Sequence, residues 1–251
     1  MKRVVTLCLL VALALVFVRA TCGKVRPPIG KPVEAMRIDD YVYYHNISIT
    51  YNGKNYFTIN GGNSDYCIIN KYDKSGKFIK NYDLGLDGRV IFFDPNDGEL
   101  YVKTFGTDVY KLDLDNEVTN VQFDDIFDMD NGSPAVSPDG KYIYEFVDGA
   151  ITVFNAQTGE ELRSFEVTEY FYEHSYNVSI AASEYYLFVW GDEDEIIVYD
   201  LEGNRITEFK LPRRGFGFSL SYCNGMLWIA EDADAAGDGG YGYWYGYRLS
   251  D

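Results

Sequence analysis

The chain has 251 residues, 47% apolar and 24% charged, which is ample for a buried core and excludes general disorder. Its 22 basic and 39 acidic residues leave a formal charge of −17, the wrong sign for a nucleic-acid partner. Two His and four Cys are poor material for a zinc or copper site, and 23 Tyr, 16 Phe and 24 Gly favour strands over helices.

Residues 1–20 read as a signal peptide. Lys2 and Arg3 precede an apolar run of 15 residues, Val4 to Val18, too short for a comfortable membrane span. Val18-Arg19-Ala20 places small residues where a signal peptidase inspects them, so cleavage after Ala20 is expected. The alternative is lipidation at Cys22, although Arg19 stands where a lipobox wants an aliphatic residue. Residues 21–32, rich in Pro and Gly, form a flexible leader, and residues 33–251 a single domain. The expected location is extracytoplasmic, secreted or periplasmic, with any membrane contact made only through a lipid at Cys22. A monomer is expected.

One segment then recurs: an apolar β-rich run, an Asp or Asn, a tight turn and a second run. Its copies are centred on Asp73, Asp113, Asn155 and Asp200, spaced 40, 42 and 45 residues apart, and a fifth, 243–249, ends without its second half. Ahead of each copy lie two more strand-like runs joined by a turn, several of them at Asn-Gly or Asp-Gly pairs such as Asn52-Gly53, Asp139-Gly140 and Asn224-Gly225. No window after residue 20 has a helical period. Four antiparallel strands per unit at this spacing predict an all-β, five-bladed β-propeller. The last unit has three strands, so an N-terminal segment within 33–44 is predicted to supply its outermost strand and close the ring.

The stretch Val136-Ser137-Pro138-Asp139-Gly140-Lys141-Tyr142-Ile143-Tyr144, followed by Ile151-Thr152-Val153-Phe154-Asn155-Ala156-Gln157-Thr158-Gly159-Glu160, resembles the WD-repeat-like and YVTN (quinoprotein-type) propeller repeats of exported bacterial proteins. The resemblance covers residues 38–251 at the level of period and implies the fold. It carries no catalytic motif.

Meander topology puts the first-to-second and third-to-fourth turns on one face and the second-to-third loops and blade connections on the other. The first face has short turns. The second carries longer, chemically richer loops, and loops on a rigid scaffold carry function more often than the scaffold does. A ligand or partner is therefore expected on the long-loop face, at Asp65, Asp87, Arg89, Asp125, Asp128, Tyr172, His174, Tyr176, Asp192, Asp194 and Arg214. Cys67 and Cys223 fall on opposite faces, so no disulfide is predicted between them.

Each feature also has a plainer role. The aromatic loop 170–176 serves equally as a plug for the channel. The acidic runs 192–195 and 124–130 offer oxygen ligands for Ca²⁺, but neither fits a 12-residue calcium loop, and solvated acid runs with no cofactor are the expectation. Arg213 and Arg214 are expected to pair with the acid loop of the fourth blade. Asn46 and Asn177 match glycosylation acceptors, relevant only in a eukaryotic host. The reading is a non-enzymatic binding or scaffolding propeller with a protein, peptide or carbohydrate partner. The alternative is a carbohydrate-active enzyme, a glycoside hydrolase or lyase, with its site at the axis. Of the residues that begin the innermost strands only Asp87 is acidic, whereas such hydrolysis uses a carboxylate pair.

Overall fold

Short apolar runs broken by Gly and Asp turns form twenty strands in the computed structural model, which describes residues 26–42, 45–61, 67–116, 118–167, 179–191, 195–213, 215–231 and 240–249. There is no helix among the described residues. β1 (Val33–Val42) belongs to the last blade. Blade 1 comprises β2 (His45–Tyr51), β3 (Tyr56–Gly61), β4 (Ile68–Tyr72) and β5 (Phe78–Asp83). Blade 2 comprises β6 (Gly88–Asp94), β7 (Glu99–Thr104), β8 (Val109–Asp113) and β9 (Val118–Phe123). Blade 3 comprises β10 (Ala135–Val136), β11 (Tyr142–Val147), β12 (Ala150–Asn155) and β13 (Glu161–Glu166). Blade 4 comprises β14 (Ile180–Ala182), β15 (Tyr186–Trp190), β16 (Glu195–Asp200) and β17 (Arg205–Lys210). Blade 5 is ordered β18 (Ser221–Cys223), β19 (Met226–Glu231), β20 (Gly240–Arg248) and then β1. The molecule is thus a five-bladed propeller of four-stranded antiparallel blades, with the N-terminal strand outermost in the last blade.

The recurring Asp or Asn explains the period. At the third-to-fourth hairpin of blades 1 to 4, its Oδ1 caps the turn. Asp73 accepts from the amides of Ser75 and Lys77 at 2.8 and 3.1 Å. Asp113 accepts from Asp115 and Asn116, Asn155 from Gln157 and Thr158, and Asp200 from Glu202 and Asn204. A short polar side chain that bonds the backbone two residues on is what such a turn needs. Blade 5 has no such hairpin because its fourth strand comes from the other end of the chain.

The core consists of five wedges, one between each pair of neighbouring blades. Middle strands therefore bury both faces. In β16, Ile196 and Val198 pack towards blade 5, while Ile197 and Tyr199 pack towards blade 3. Each such aliphatic side chain contributes about 1.5–3 kcal/mol relative to exposure. Outer strands such as β5 and β13 are largely exposed, as befits the rim. Close approach of blades 1 and 2 excludes any Cβ at Gly61, where it would strike the carbonyl of Gly88.

β1 pairs with β20 from Val33 opposite Arg248 to Val42 opposite Gly240, with an irregularity between Glu34 and Met36. Asp40 of β1 accepts hydrogen bonds from Trp244 Nε1 (2.9 Å) in its own blade, and from Asn70 Nδ2 (2.7 Å) and Tyr72 Oη in blade 1. The strand that completes blade 5 is therefore also fastened to blade 1. Residues 26–32 run onto blade 4: Arg26 pairs with Asp200 and Glu202 at 2.8 Å each, Tyr186 donates to the Pro27 carbonyl, and Ile29 packs against the wedge between blades 4 and 5. Asn46 has none of its surface exposed, so within this fold it offers no acceptor for a glycan.

Candidate functional site: an uncharged cavity on the propeller axis

Inner strands determine what the axis presents. Small hydroxyl side chains stand near their starts, and they stitch the ring together. Ser48 donates to the Ile91 carbonyl (3.3 Å), Ser133 to that of Arg89 (3.5 Å) and Ser179 to that of Gly217 (2.6 Å). The amide of Ile180 donates to the Ser133 carbonyl (3.1 Å), and that of Ile49 to Ser221 Oγ (3.4 Å). These contacts span all five junctions between blades. Ser48, Ser133, Ser179 and Ser221 are all buried, so satisfying them internally avoids the cost of orphaned polar groups.

Within this ring lies a cavity of about 300 Å³, lined by the inner strands of every blade. Its wall is made of residues such as Ile47, Ile91, Ala135, Ile180 and Leu220, and it widens to Tyr51, Phe93, Pro95, Pro138 and Asn224. The last five sit at or beside first-to-second turns, so the cavity opens on the short-turn face. Among the described residues, no Asp, Glu, Lys, Arg or His lines it. With several hydroxyls already spent on the ring, what faces a visitor is apolar surface, ring edges and neutral lone pairs.

Charged residues gather at the other end of the axis, between blades 2 and 3. Asp87 and Arg89 pair at 3.2 Å, with Arg89 lying 5.1 Å from the Phe105 ring centre. Arg89 Nε and Asp87 Oδ1 are buried with no hydrogen-bond partner among the described residues. Lys103 has no exposed surface and donates to the carbonyls of Met129 (2.8 Å) and Asp130 (2.6 Å). Burial pushes its pKa down to about 8. Buried Glu145 accepts from the amides of Asp128 (3.0 Å) and Met129 (3.1 Å), and burial raises its pKa. Lys103 and Glu145 thus clamp the backbone of the segment that follows Phe127. Asp128 takes part through its amide.

Of the residues expected to form a site, Asp87 and Arg89 come together, and Asp128 lies in the clamped segment of the next blade. Asp125 stands apart with a left-handed φ of 54°, its side chain accepting from Thr107 Oγ1 at 2.6 Å. Beside it, a hydrogen bond with Asp108 and that neighbour's charge raise the pKa of Asp124. Asp65, Tyr172, His174, Tyr176, Asp192, Asp194, Arg214 and Cys22 lie outside the described residues. Among the described residues, no group of three His, Cys, Asp or Glu is disposed to hold a metal ion. Arg213 pairs with Glu34 of β1 (3.4 Å) and covers the Tyr245 ring at 4.4 Å, while residues 192–194 of the acid loop expected to pair with it lie outside the described residues. The sequence carries a signal for the cavity in the serines that recur at the inner strands, Ser48, Ser133, Ser179 and Ser221.

No known protein family matches the chain, and no curated protein does. What defines it is its architecture: a five-bladed β-propeller whose axial cavity is lined, among the described residues, by no charged side chain and opens on the face of the first-to-second turns.

Proposed function

We propose that this chain is an exported, non-enzymatic binding propeller that takes an uncharged group into its axial cavity from the short-turn face. The observation that carries the reading is the cavity itself, lined by all five blades and, among the described residues, by no carboxylate, ammonium, guanidinium or imidazole. At about 300 Å³ it stands at the lower end of small-ligand sites, while a dry cavity of about 150 Å³ already admits benzene. A ring-sized or branched aliphatic group suits it. Glycoside hydrolysis at the axis gains no support from the described residues, where Asp87 is held by Arg89 and no carboxylate lines the cavity. Export rests on the basic and apolar character of residues 1–20.

Ligand-observed NMR with a set of uncharged fragments tests the site. Ala135 lines the cavity and is half-buried, so Ala135→Leu narrows it. Fragment signals are expected to broaden with the parent protein and recover with the variant, whose thermal midpoint should stay close to the parent's. Fragments that bind parent and variant equally would place the site elsewhere and overturn the assignment.

A further inference from the structure

A second space adjoins the cavity. A groove of about 270 Å³ runs outward between blades 2 and 3 on the short-turn face, and Phe92 and Val136 line both it and the cavity. The groove differs in chemistry. Its walls include Asp94, Asp97, Tyr101, Lys111 and Gln157. Tyr101 stacks on Phe92 with ring centres 5.4 Å apart and planes 8° from parallel, giving a flat aromatic side.

The carboxylates are unequally occupied. Asp97 accepts from Tyr101 Oη (2.7 Å) and Lys111 Nζ (2.8 Å). Partial burial opposes its ionisation, but Lys111 and Tyr101 outweigh it and hold its pKa below the usual carboxylate value. Asp94 Oδ1 accepts from the amide and side chain of Asn96, both at 2.8 Å. Asp94 has no ion pair among the described residues. Two carboxylates thus meet one ammonium, in a chain of formal charge −17. An additional cation in the groove is favoured locally and by the field of the whole molecule.

We infer that the occupant of the axial cavity arrives on a cationic segment of a partner protein: an apolar side chain fills the cavity while a neighbouring Lys or Arg lies in the groove beside Asp94 and Asp97. This rests on the cavity reading above and adds the partner's chemistry to it. An uncharged cavity continuous with an acidic, aromatic-walled groove matches a segment carrying both kinds of side chain. A second copy of this acidic chain is repelled.

The probes are three capped seven-residue peptides. The first is Ser-Lys-Ser-Leu-Ser-Lys-Ser, the second has Glu for both Lys, and the third has Ser for Leu. Titration followed by NMR at low salt is expected to rank the Lys peptide at least tenfold tighter than the Glu peptide, with the gap closing in 0.5 M NaCl. The Ser-for-Leu peptide is expected to lose binding. Asp94→Asn is expected to weaken the Lys peptide by about two- to fivefold without changing the binding of uncharged fragments. Equal affinity for Lys and Glu peptides, or indifference to Asp94→Asn, overturns this inference and leaves the cavity reading standing if fragments still respond to Ala135→Leu. If neither fragments nor peptides respond to Ala135→Leu, the cavity reading falls and this inference with it.

Discussion

At Asp40 a carboxylate with 1% of its surface exposed accepts hydrogen bonds from Trp244, Asn70 and Tyr72, so donors from two blades converge on one side chain. Burial raises its pKa, and the hydrogen bonds only partly offset this. A raised folded-state pKa means that protonation favours the fold. The stabilisation is complete below the unfolded value of about 3.9 and is lost as pH rises through the folded value. Asp40→Asn cannot ionise. Urea unfolding of parent and variant from pH 4 to 8 should therefore show the parent losing ground as pH rises, by up to about 1.4 kcal/mol per pH unit. A difference that does not vary with pH would show that Asp40 stays ionised throughout. Asp40→Ala leaves three donors without their acceptor and is expected to cost about 1–3 kcal/mol near pH 4, and less as pH rises and the parent loses stability. The turn-capping carboxylates act in the opposite sense. The Ser75 hydroxyl and the Lys77 and Ser75 amides lower the pKa of Asp73, and Asn116 lowers that of Asp113, so their contribution is lost as pH falls through those lowered values.

Closure is settled at the scale of the element. β1 comes from the start of the domain and completes a sheet whose other strands come from its end. Without it, β20 is an unpaired edge and Trp244 loses the hydrogen-bond acceptor Asp40. Deleting residues 33–44 is expected to lower the thermal midpoint by roughly 10 °C or more or to abolish cooperative unfolding. A synthetic peptide of residues 33–44 added to the truncated chain should restore part of the loss. A truncated protein that melts like the parent would mean that the ring does not depend on this strand. Arg26, paired with Asp200 and Glu202, adds a second tie between the N-terminal side and blade 4.

For the whole molecule, topology assigns chemistry to opposite ends of one axis. The Asp87–Arg89 ion pair and the buried Lys103 and Glu145 lie towards the long-loop end, while the cavity opens at the other. The two cysteines of the body divide in the same way. Cys67 precedes β4 on the long-loop side, Cys223 lies at a first-to-second turn, and both thiols are free. Burial pushes the Cys67 thiol up to about 12, so it resists oxidation and alkylation in the fold, while Cys223, whose thiol pKa is raised by burial, is part-exposed where it lines the cavity. Peptide mapping after alkylation in denaturant without reductant should find both residues modified. A linked Cys67–Cys223 peptide would contradict the placement of the two strands on which they sit.

The sequence by itself determined the blade count, the strand phase and the closing strand, because each is encoded locally. Asp73, Asp113, Asn155 and Asp200 bond their own turns, and an unbroken apolar run such as 196–199 reports a strand covered on both sides. The surplus strand at one end and the missing strand at the other required pairing. Only the tertiary structure decided what the axis is made of. Ser48, Ser133, Ser179 and Ser221 are far apart in the chain, and each looks ordinary alone. Their hydroxyls bridge neighbouring blades only when five inner strands are brought together at one axis. The same holds for Asp40, whose partners lie 30, 32 and 204 residues away, and for Arg213, whose carboxylate comes from β1. Turn chemistry acts over two to four residues and is legible in order along the chain; burial and pairing across the axis depend on distances that no local pattern records.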